Sequence, residues 1–275
     1  MKHGTFFYLR EPRVKRTIAP SYFSKTPMHY PIPLFIALTL MGAGCSWSKS
    51  VSMNAPDKTA DTQTQETDTQ LVFASSTRSE ETELYTIRVD YPVAQGGNAA
   101  LSGSVNSAVD EYVATTTAAF KDYLKDAEQW YSGAKYDLAV VYAVPQNDTD
   151  RVSVVFSGYE FTGGAHGMHI YQTLVFDART GQRLAMSDVL KTDGYLKKVA
   201  DACRAKLQTM EGIKDMSDDD WLKQGTEPTA DNYRYWYATK DTLHVIFPPY
   251  QVAAYAAGDF DVAIPFSELA EGTKK

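Results

Sequence analysis

Two histidines and three carboxylates lie close together in the middle of the chain. His166 and His169 are three residues apart, Glu160 precedes them, and Asp177 and Asp188 follow. These residue types can bind a metal ion or transfer protons. A hydrolase that uses Glu160, His166 and Asp188 is therefore one hypothesis for the chain.

The spacing of the histidines argues against a metal site. Side chains three positions apart in a strand point to opposite faces of the sheet, so His166 and His169 would converge only if a turn bent the chain between them. The sequence has no His-Glu-x-x-His motif and no cysteine pair of the zinc-binding kind. We therefore expect neither a bound metal nor a cofactor.

Glycines surround the first histidine. Gly163, Gly164 and Gly167 fall within five positions, which indicates a backbone that needs positive φ or a close approach by another group. We expect Gly163 and Gly164 to form a tight turn or bulge. The His166 ring would then form a hydrogen bond with neighbouring backbone or with Glu160. This structural role is the preferred interpretation of the cluster.

The other potential nucleophiles lack a catalytic context. Cys203 lies in a helical pattern and is expected to be a small core residue. Ser157-Gly158 does not form a Gly-x-Ser-x-Gly elbow, and Gly163-Gly164 joins strands instead of opening a helix as a phosphate-binding loop would. The sequence shows no complete catalytic site, so a non-enzymatic protein is the expectation.

A second region, residues 248–258, has the composition of a recognition surface. It is apolar and irregular, and its candidate binding residues are Pro249, Tyr250, Gln251 and Tyr255. Aromatic side chains in such loops often contact a partner protein. The alternative is that Tyr250 and Tyr255 only cap the core of a sheet. Both interpretations remain open at this stage.

Hydrophobic periodicity predicts the elements that position these residues. Strands are predicted at 83–93, 135–144, 151–161, 168–176, a short stretch within 182–190, 232–238, 243–247 and 260–265. Turns are expected at 147–150 and 163–164. Helices are predicted at 98–127, with a break near 115–117, at 195–210, and as a short acidic helix at 215–221.

This order of elements predicts an α+β fold. An antiparallel sheet would be covered on one face by helices. Two contiguous halves, residues 71–185 and 186–275, would form one compact unit.

The first 70 residues are predicted to contain a targeting signal followed by a flexible tether. Residues 32–43 form an apolar run of 12 residues, shorter than the roughly 20 that span a bilayer, so 1–44 is predicted to be a signal peptide. Small residues before Cys45 resemble the lipobox of bacterial lipoproteins, which predicts lipid on Cys45. The polar stretch 45–70 would be a tether. The alternative is an ordinary secretory signal with an incidental cysteine.

Charge excludes one class of partner. The first 44 residues hold six Lys/Arg and one acidic residue, so the remainder of the chain has a net charge of −12. A nucleic-acid partner would require a basic face. The acidic remainder is compatible with a cationic partner.

Two stretches resemble bacterial extracytoplasmic families. The first is Thr-Gly-Gly-Ala-His-Gly at 162–167, followed by Phe-Asp-x-x-Thr-Gly at 176–181 and Leu-x-x-x-Asp-Val-Leu at 184–190. The second is FPPYQVAAYAAG at 247–258, followed by IPFSEL at 264–269. They resemble the accessory domain of PdaC-like peptidoglycan deacetylases and the sensor domain of RsiV-like, lysozyme-binding anti-sigma factors. Both are catalogued as domains of unknown function.

The resemblance implies an extracytoplasmic binding module. In the PdaC-like proteins the deacetylase activity belongs to a separate metal-dependent domain. In the anti-sigma factors the region similar to 248–258 meets lysozyme, whose basic charge an acidic chain would attract. Residues 71–185 would be the PdaC-like half and 186–275 the RsiV-like half.

The prediction is a lipid-anchored module of the cell envelope that recognises a protein such as a lysozyme-like hydrolase, or a peptidoglycan fragment. It would be held through lipid on Cys45 at the periplasmic side of a bacterial membrane. Ser46 after the cysteine favours the outer membrane. The alternatives are a cell-wall hydrolase that uses Glu160, His166 and Asp188, and a passive structural lipoprotein.

Overall fold

The computed structural model describes residues 70–125 and 134–270. Within these ranges the strands are β1 Val72–Glu81, β2 Tyr85–Gln95, β3 Tyr136–Asn147, β4 Arg151–Phe161, β5 Met168–Asp177, β6 Trp236–Ala238, β7 Thr242–Phe247 and β8 Phe260–Pro265. The α-helices are α1 Ala99–Leu124, α2 Met186–Leu190, α3 Tyr195–Leu207, α4 Ile213–Met216, α5 Asp219–Gly225 and α6 Phe266–Ala270. The predicted signal peptide, Cys45 and all of the predicted tether except Gln70 lie outside the described residues.

Five strands form the first sheet in the order β1-β2-β3-β4-β5. Three of the four pairings are antiparallel, and β2 and β3 run parallel. The parallel pair departs from the predicted pattern because α1 connects the two strands and returns the chain in the same direction. The predicted α+β class is confirmed.

Helix α1 covers one face of this sheet. Its apolar stripe packs against buried side chains of β2, β3 and β4; the buried helix residues are Leu101, Val105, Val109, Val113, Thr117, Phe120 and Leu124. Full burial of one such apolar side chain contributes about 1.5–3 kcal/mol. The predicted break is absent, because the Thr115 and Thr117 hydroxyls donate hydrogen bonds to carbonyls one turn earlier and fit within a continuous helix.

Strand β1 was not predicted. It pairs with β2 along its whole length, from Val72 opposite Gln95 to Glu81 opposite Thr86. It is an edge strand with mostly exposed polar side chains, so the alternation that marks a half-buried strand is missing.

Three strands form the second sheet in the order β6-β7-β8, and α3 packs against β8. Cys203 is fully buried in this core, as predicted, and burial raises the pKa of its thiol to about 12. This environment disfavours the thiolate form of Cys203.

Several predicted bounds in the second half differ. The strand expected within 182–190 is a single bridge at Arg183 followed by α2. The acidic helix expected at 215–221 is the pair α4 and α5. The strand expected to begin at residue 232 begins at Trp236, because Asp231–Tyr233 form a 3-10 turn.

The second sheet meets the first on the face opposite α1. Val152, Val154 and Phe156 of β4 belong to the core beneath α1, so Ser153 points to the other face. The Ser153 hydroxyl donates a 2.6 Å hydrogen bond to the Ala238 carbonyl of β6. None of the helices in the described ranges is both long and apolar enough to span a bilayer.

Candidate functional site

The two regions that the sequence singled out meet in space. The ring of His166, in the β4–β5 connection, stacks on Tyr255 with ring centroids 3.9 Å apart. The Tyr250 hydroxyl lies 3.3 Å from His166 Nε2, and the Tyr255 hydroxyl donates to the Gly167 carbonyl at 3.0 Å. We call His166, Tyr250 and Tyr255 the aromatic surface.

The glycines shape the turn beneath this surface. Gly163 and Gly164 have φ of 102° and 86°, the positive values that their predicted turn requires. Gly167 meets the other expectation, close approach: a Cβ there would lie 2.4 Å from the carbonyl oxygen of Glu160 and 2.5 Å from the Tyr159 ring. The Gly167 N–H donates to the Tyr159 hydroxyl at 2.7 Å.

The hydrogen bonds of His166 define its tautomer. Nδ1 lies 2.9 Å from the Gly167 carbonyl oxygen, which can only accept, so Nδ1 carries the hydrogen. Nε2 then accepts from the Tyr250 hydroxyl. Of the two partners predicted for this ring, the structure has the neighbouring backbone. The other, Glu160, lies opposite Leu138 of β3, a residue of the core beneath α1, so its side chain is on the α1 face of the sheet.

Tyr250 is exposed and strained. Its φ of 71° is in the left-handed region that a tyrosine rarely adopts, and 46% of its surface is exposed. The Trp221 indole N–H donates to the Tyr250 carbonyl at 3.0 Å. The Gln251 amide donates to the carbonyls of Gly225 and Asn232 at 3.0 and 2.9 Å.

The four predicted binding residues therefore divide into two roles. Pro249 is buried and Gln251 is bonded to backbone, so both support the segment. Tyr250 and Tyr255 carry the accessible rings.

An acidic groove of about 340 Å³ opens between the two sheets. Asp259 Oδ2 lies 2.6 Å from His169 Nδ1, and Asp261 accepts from the Tyr237 hydroxyl at 2.7 Å. Burial, together with a hydrogen bond to Asp259, raises the pKa of Tyr171. The remaining walls are largely apolar: Ala143, Pro145, Val155 and Ile246.

The groove adjoins the aromatic surface. The His169 ring lies edge-on to Tyr255 with centroids 6.1 Å apart, and the same ring contacts Asp259. His166 and His169 thus converge on one tyrosine, although no cluster of three metal-ligating side chains occurs in the described part of the chain.

The structure does not bring Glu160, His166 and Asp188 together. Glu160 lies on the α1 face of the sheet, and His166 lies in the turn past the last residue of β4. Asp188 accepts from the Ala185 N–H at the start of α2, beside Arg151 at the first residue of β4. An 11-residue strand spans about 33 Å. The hypothesis that these three residues form one catalytic group is therefore wrong.

Sequence reasoning did not identify Tyr159, Trp221, His244, Asp259 or Asp261. Each is joined to its partner by a fold-dependent contact; His169 and Asp259 are 90 residues apart. One sequence signal could have indicated the two aspartates. In the Asp-Phe-Asp pattern at 259–261, alternation along a strand places both carboxylates on one face and the ring on the other.

Comparison with known proteins identifies two matching regions. Residues 78–169 match the family described as "Deacetylase PdaC", and residues 187–267 match "Protein of unknown function (DUF3298)". The predicted resemblance to a PdaC-like protein and to a domain of unknown function is confirmed.

One curated relative aligns over about two thirds of the chain. It is the peptidoglycan-N-acetylmuramic acid deacetylase PdaC of Bacillus subtilis, 29% identical over 188 residues, which is 68% of this chain and 38% of that protein. The chain therefore matches well under half of the length of this relative.

Two solved structures are similar. A DUF3298 family member from Bacteroides fragilis has 21% identity and a TM-score of 0.54 over 73% of this chain and 92% of its own. A DUF3298 family protein from Pseudomonas aeruginosa has 19% identity and a TM-score of 0.49 over 73% and 91%. The first shows that the fold is shared.

Proposed function

We propose that the protein is a binding module of the bacterial cell envelope, and that its aromatic surface recognises a protein such as a lysozyme-like hydrolase. The observation that carries the proposal is Tyr250, an exposed tyrosine held at positive φ. A left-handed conformation of this kind costs about 1–3 kcal/mol and persists where surrounding contacts enforce it, often at binding sites.

The contacts around Tyr250 fix the ring in place before any partner arrives. Its carbonyl is bonded to Trp221 and its hydroxyl to His166, while Tyr255 packs at 5.5 Å between ring centroids. A rigid aromatic side chain loses little conformational entropy on binding, and such residues dominate many interfaces.

Charge favours a basic partner. Asp259 and Asp261 lie in the groove beside the aromatic surface, and the chain after residue 44 carries a net −12. Opposite charge speeds association and selects partners. The relative's name supports a role at the cell wall, where lysozyme-like hydrolases act.

The test is a binding measurement with purified lysozyme and residues 62–275, which form one compact unit. Tyr250→Gly keeps the backbone conformation and removes the ring, so affinity should fall at least tenfold. Tyr123→Ala is the matched control, because Tyr123 is 59% exposed on α1, and it should bind as the wild type does. Absence of wild-type binding at low salt contradicts the proposal.

A peptidoglycan fragment is the second candidate ligand, favoured by the match to a peptidoglycan deacetylase over 188 residues. Its test is co-sedimentation of the same three proteins with purified peptidoglycan. Retention of the wild type and loss of Tyr250→Gly would assign the surface to the glycan or its peptides.

Lipid anchoring through Cys45, on the periplasmic side of the outer membrane, is part of the proposal. Cys45→Ser should abolish the added diacylglycerol mass and release the protein from the membrane fraction. Cys203→Ala should retain both, because Cys203 is buried in the second core. A Cys45→Ser protein that stays in the membrane fraction would disprove the anchor.

A further inference from the structure

A cavity of about 190 Å³ lies between α2, α3 and α6, apart from the aromatic surface and the acidic groove. Its walls are mainly apolar, with Leu190, Phe266 and Leu269 among them. Among the described residues that line it, Lys198 of α3 is the only cationic one.

Lys198 is the unusual member of this cavity. Its Nζ atom is buried and has no hydrogen-bond partner in the described ranges 70–125 and 134–270. The preceding Lys197 is 74% exposed and pairs with Asp201 at 2.5 Å. A buried ammonium without a partner is costly, and such groups call for a bound ion or ligand.

Two polar groups on the surrounding elements are engaged elsewhere. Glu268 of α6 is already paired with Lys206 of α3 at 3.1 Å. The Thr192 hydroxyl donates its hydrogen to the Leu190 carbonyl at 3.0 Å, so it has no hydrogen left for an anion. Among the described lining residues, Lys198 would be the single cationic contact for a bound molecule.

We propose that this cavity binds a carboxylate carried on a short aliphatic chain, with the carboxylate on Lys198 Nζ and the chain against Leu190, Phe266 and Leu269. One ammonium matches the single negative charge of a carboxylate. A phosphate carries more charge and more acceptors than one donor group satisfies. The apolar walls select an aliphatic chain over a polar one.

The carboxylate can come from a free short-chain acid or from the C-terminus of a peptide. Butanoate represents the first source and N-acetylalanine the second. The ligand that binds with the higher affinity in a calorimetric or NMR titration of the full chain identifies the source of the carboxylate. A Kd of about 1 mM or tighter is expected for one of them, and saturation by neither overturns the proposal.

Variants test the charge contact. Lys198→Met nearly keeps the length of the side chain and removes its charge. It should lower the affinity for butanoate at least tenfold, since hydrogen bonds to charged groups contribute about 1.5–3 kcal/mol. Lys197→Met is the matched control and should bind as the wild type does. Equal butanoate affinity in Lys198→Met and the wild type overturns the proposal.

A chain-length series on the wild type keeps the test independent of variant folding. Affinity should rise about fourfold for each methylene from acetate to butanoate. Butan-1-ol, which lacks the charge, should bind at least tenfold more weakly than butanoate. Equal affinity for the alcohol and the acid, or no gain with chain length, overturns the proposal.

Discussion

Both ring nitrogens of His166 are engaged within the protein. Nδ1 donates to Gly167 and Nε2 accepts from Tyr250, while the ring face stacks on Tyr255. An imidazole with its hydrogen on Nδ1 supplies one donor and one acceptor, which matches these two contacts. His166 therefore holds the rings of the aromatic surface in place.

Gly167→Ala should destabilise the protein by about 1–3 kcal/mol, because the added Cβ would overlap the Glu160 carbonyl and the Tyr159 ring. Gly103→Ala is the matched control on α1, where a Cβ meets nothing within 4 Å. It should stabilise by about 0.5–1 kcal/mol. Urea denaturation measures both. An unchanged midpoint for Gly167→Ala contradicts the steric account of this turn.

Glu160→Gln should stabilise the protein at neutral pH. Burial raises the pKa of Glu160, so the folded state binds its proton more tightly than the unfolded chain does. Wild-type stability should then fall as pH rises from the unfolded value of about 4.3 through the raised folded pKa. Below both values the carboxyl is neutral and the difference between wild type and Glu160→Gln should vanish.

Urea midpoints at neutral pH and below pH ~4 measure this effect. Glu111→Gln is the control, because Glu111 is exposed on α1, and its midpoints should follow those of the wild type. A lower midpoint for Glu160→Gln at neutral pH would show that the carboxylate is stabilising.

Helix α1 is fixed to β2 by a side chain as well as by apolar packing. The Asn106 amide accepts from the Ala94 N–H at 2.8 Å and donates to the Ala94 carbonyl at 2.9 Å. Ala94 is 4% exposed, so water cannot readily replace these bonds. The amide takes the place of a neighbouring strand at this point of β2.

Asn106→Ala should therefore cost about 1–3 kcal/mol, because it leaves two buried backbone groups unpaired. Ser107→Ala is the neighbouring control on the exposed side of α1, and it should change stability by less than about 0.5 kcal/mol. Thermal and urea unfolding measure the stability of both variants. Equal stability of the two variants would mean that Ala94 finds other partners.

Local patterns were sufficient for α1, β4 and β8, whose apolar spacing follows one buried face. The prediction of β4 and β8 was correct to the residue. Strand β1 was missed because an edge strand with polar faces has no such pattern. The parallel direction of the β2–β3 pair was not predicted, because it depends on where α1 docks and no local sequence pattern shows that.

At the scale of the molecule, two hydrophobic cores meet along β4, β5 and β6. The Ser153 hydroxyl bonds the Ala238 carbonyl, and the Thr173 hydroxyl accepts from the Trp236 N–H at 3.2 Å. The sequence indicated both halves of the candidate site. Their contact, His166 with Tyr250 at 84 residues' separation, depends on this junction and could not be read from either segment.

Ser153→Ala should lower the free energy of unfolding by about 1–3 kcal/mol, because the buried Ala238 carbonyl loses its 2.6 Å partner. Ser75→Ala, on the exposed edge strand β1, is the control and should be nearly neutral. Urea curves followed by tryptophan fluorescence and circular dichroism measure both. An unchanged midpoint for Ser153→Ala would show that the junction does not depend on this bond.

The crossover through α1 sets an order on folding. Strands β3, β4 and β5 follow one another through short connections, and β1 and β2 form their own hairpin. Among the described strands, the ladder that joins the two groups is the parallel β2–β3 pair, whose strands are separated by a 26-residue helix. Closure of so long a loop costs more chain entropy than closure of a hairpin. Assembly of the sheet should therefore wait for α1 to dock, which makes helix docking the slow step of the first half.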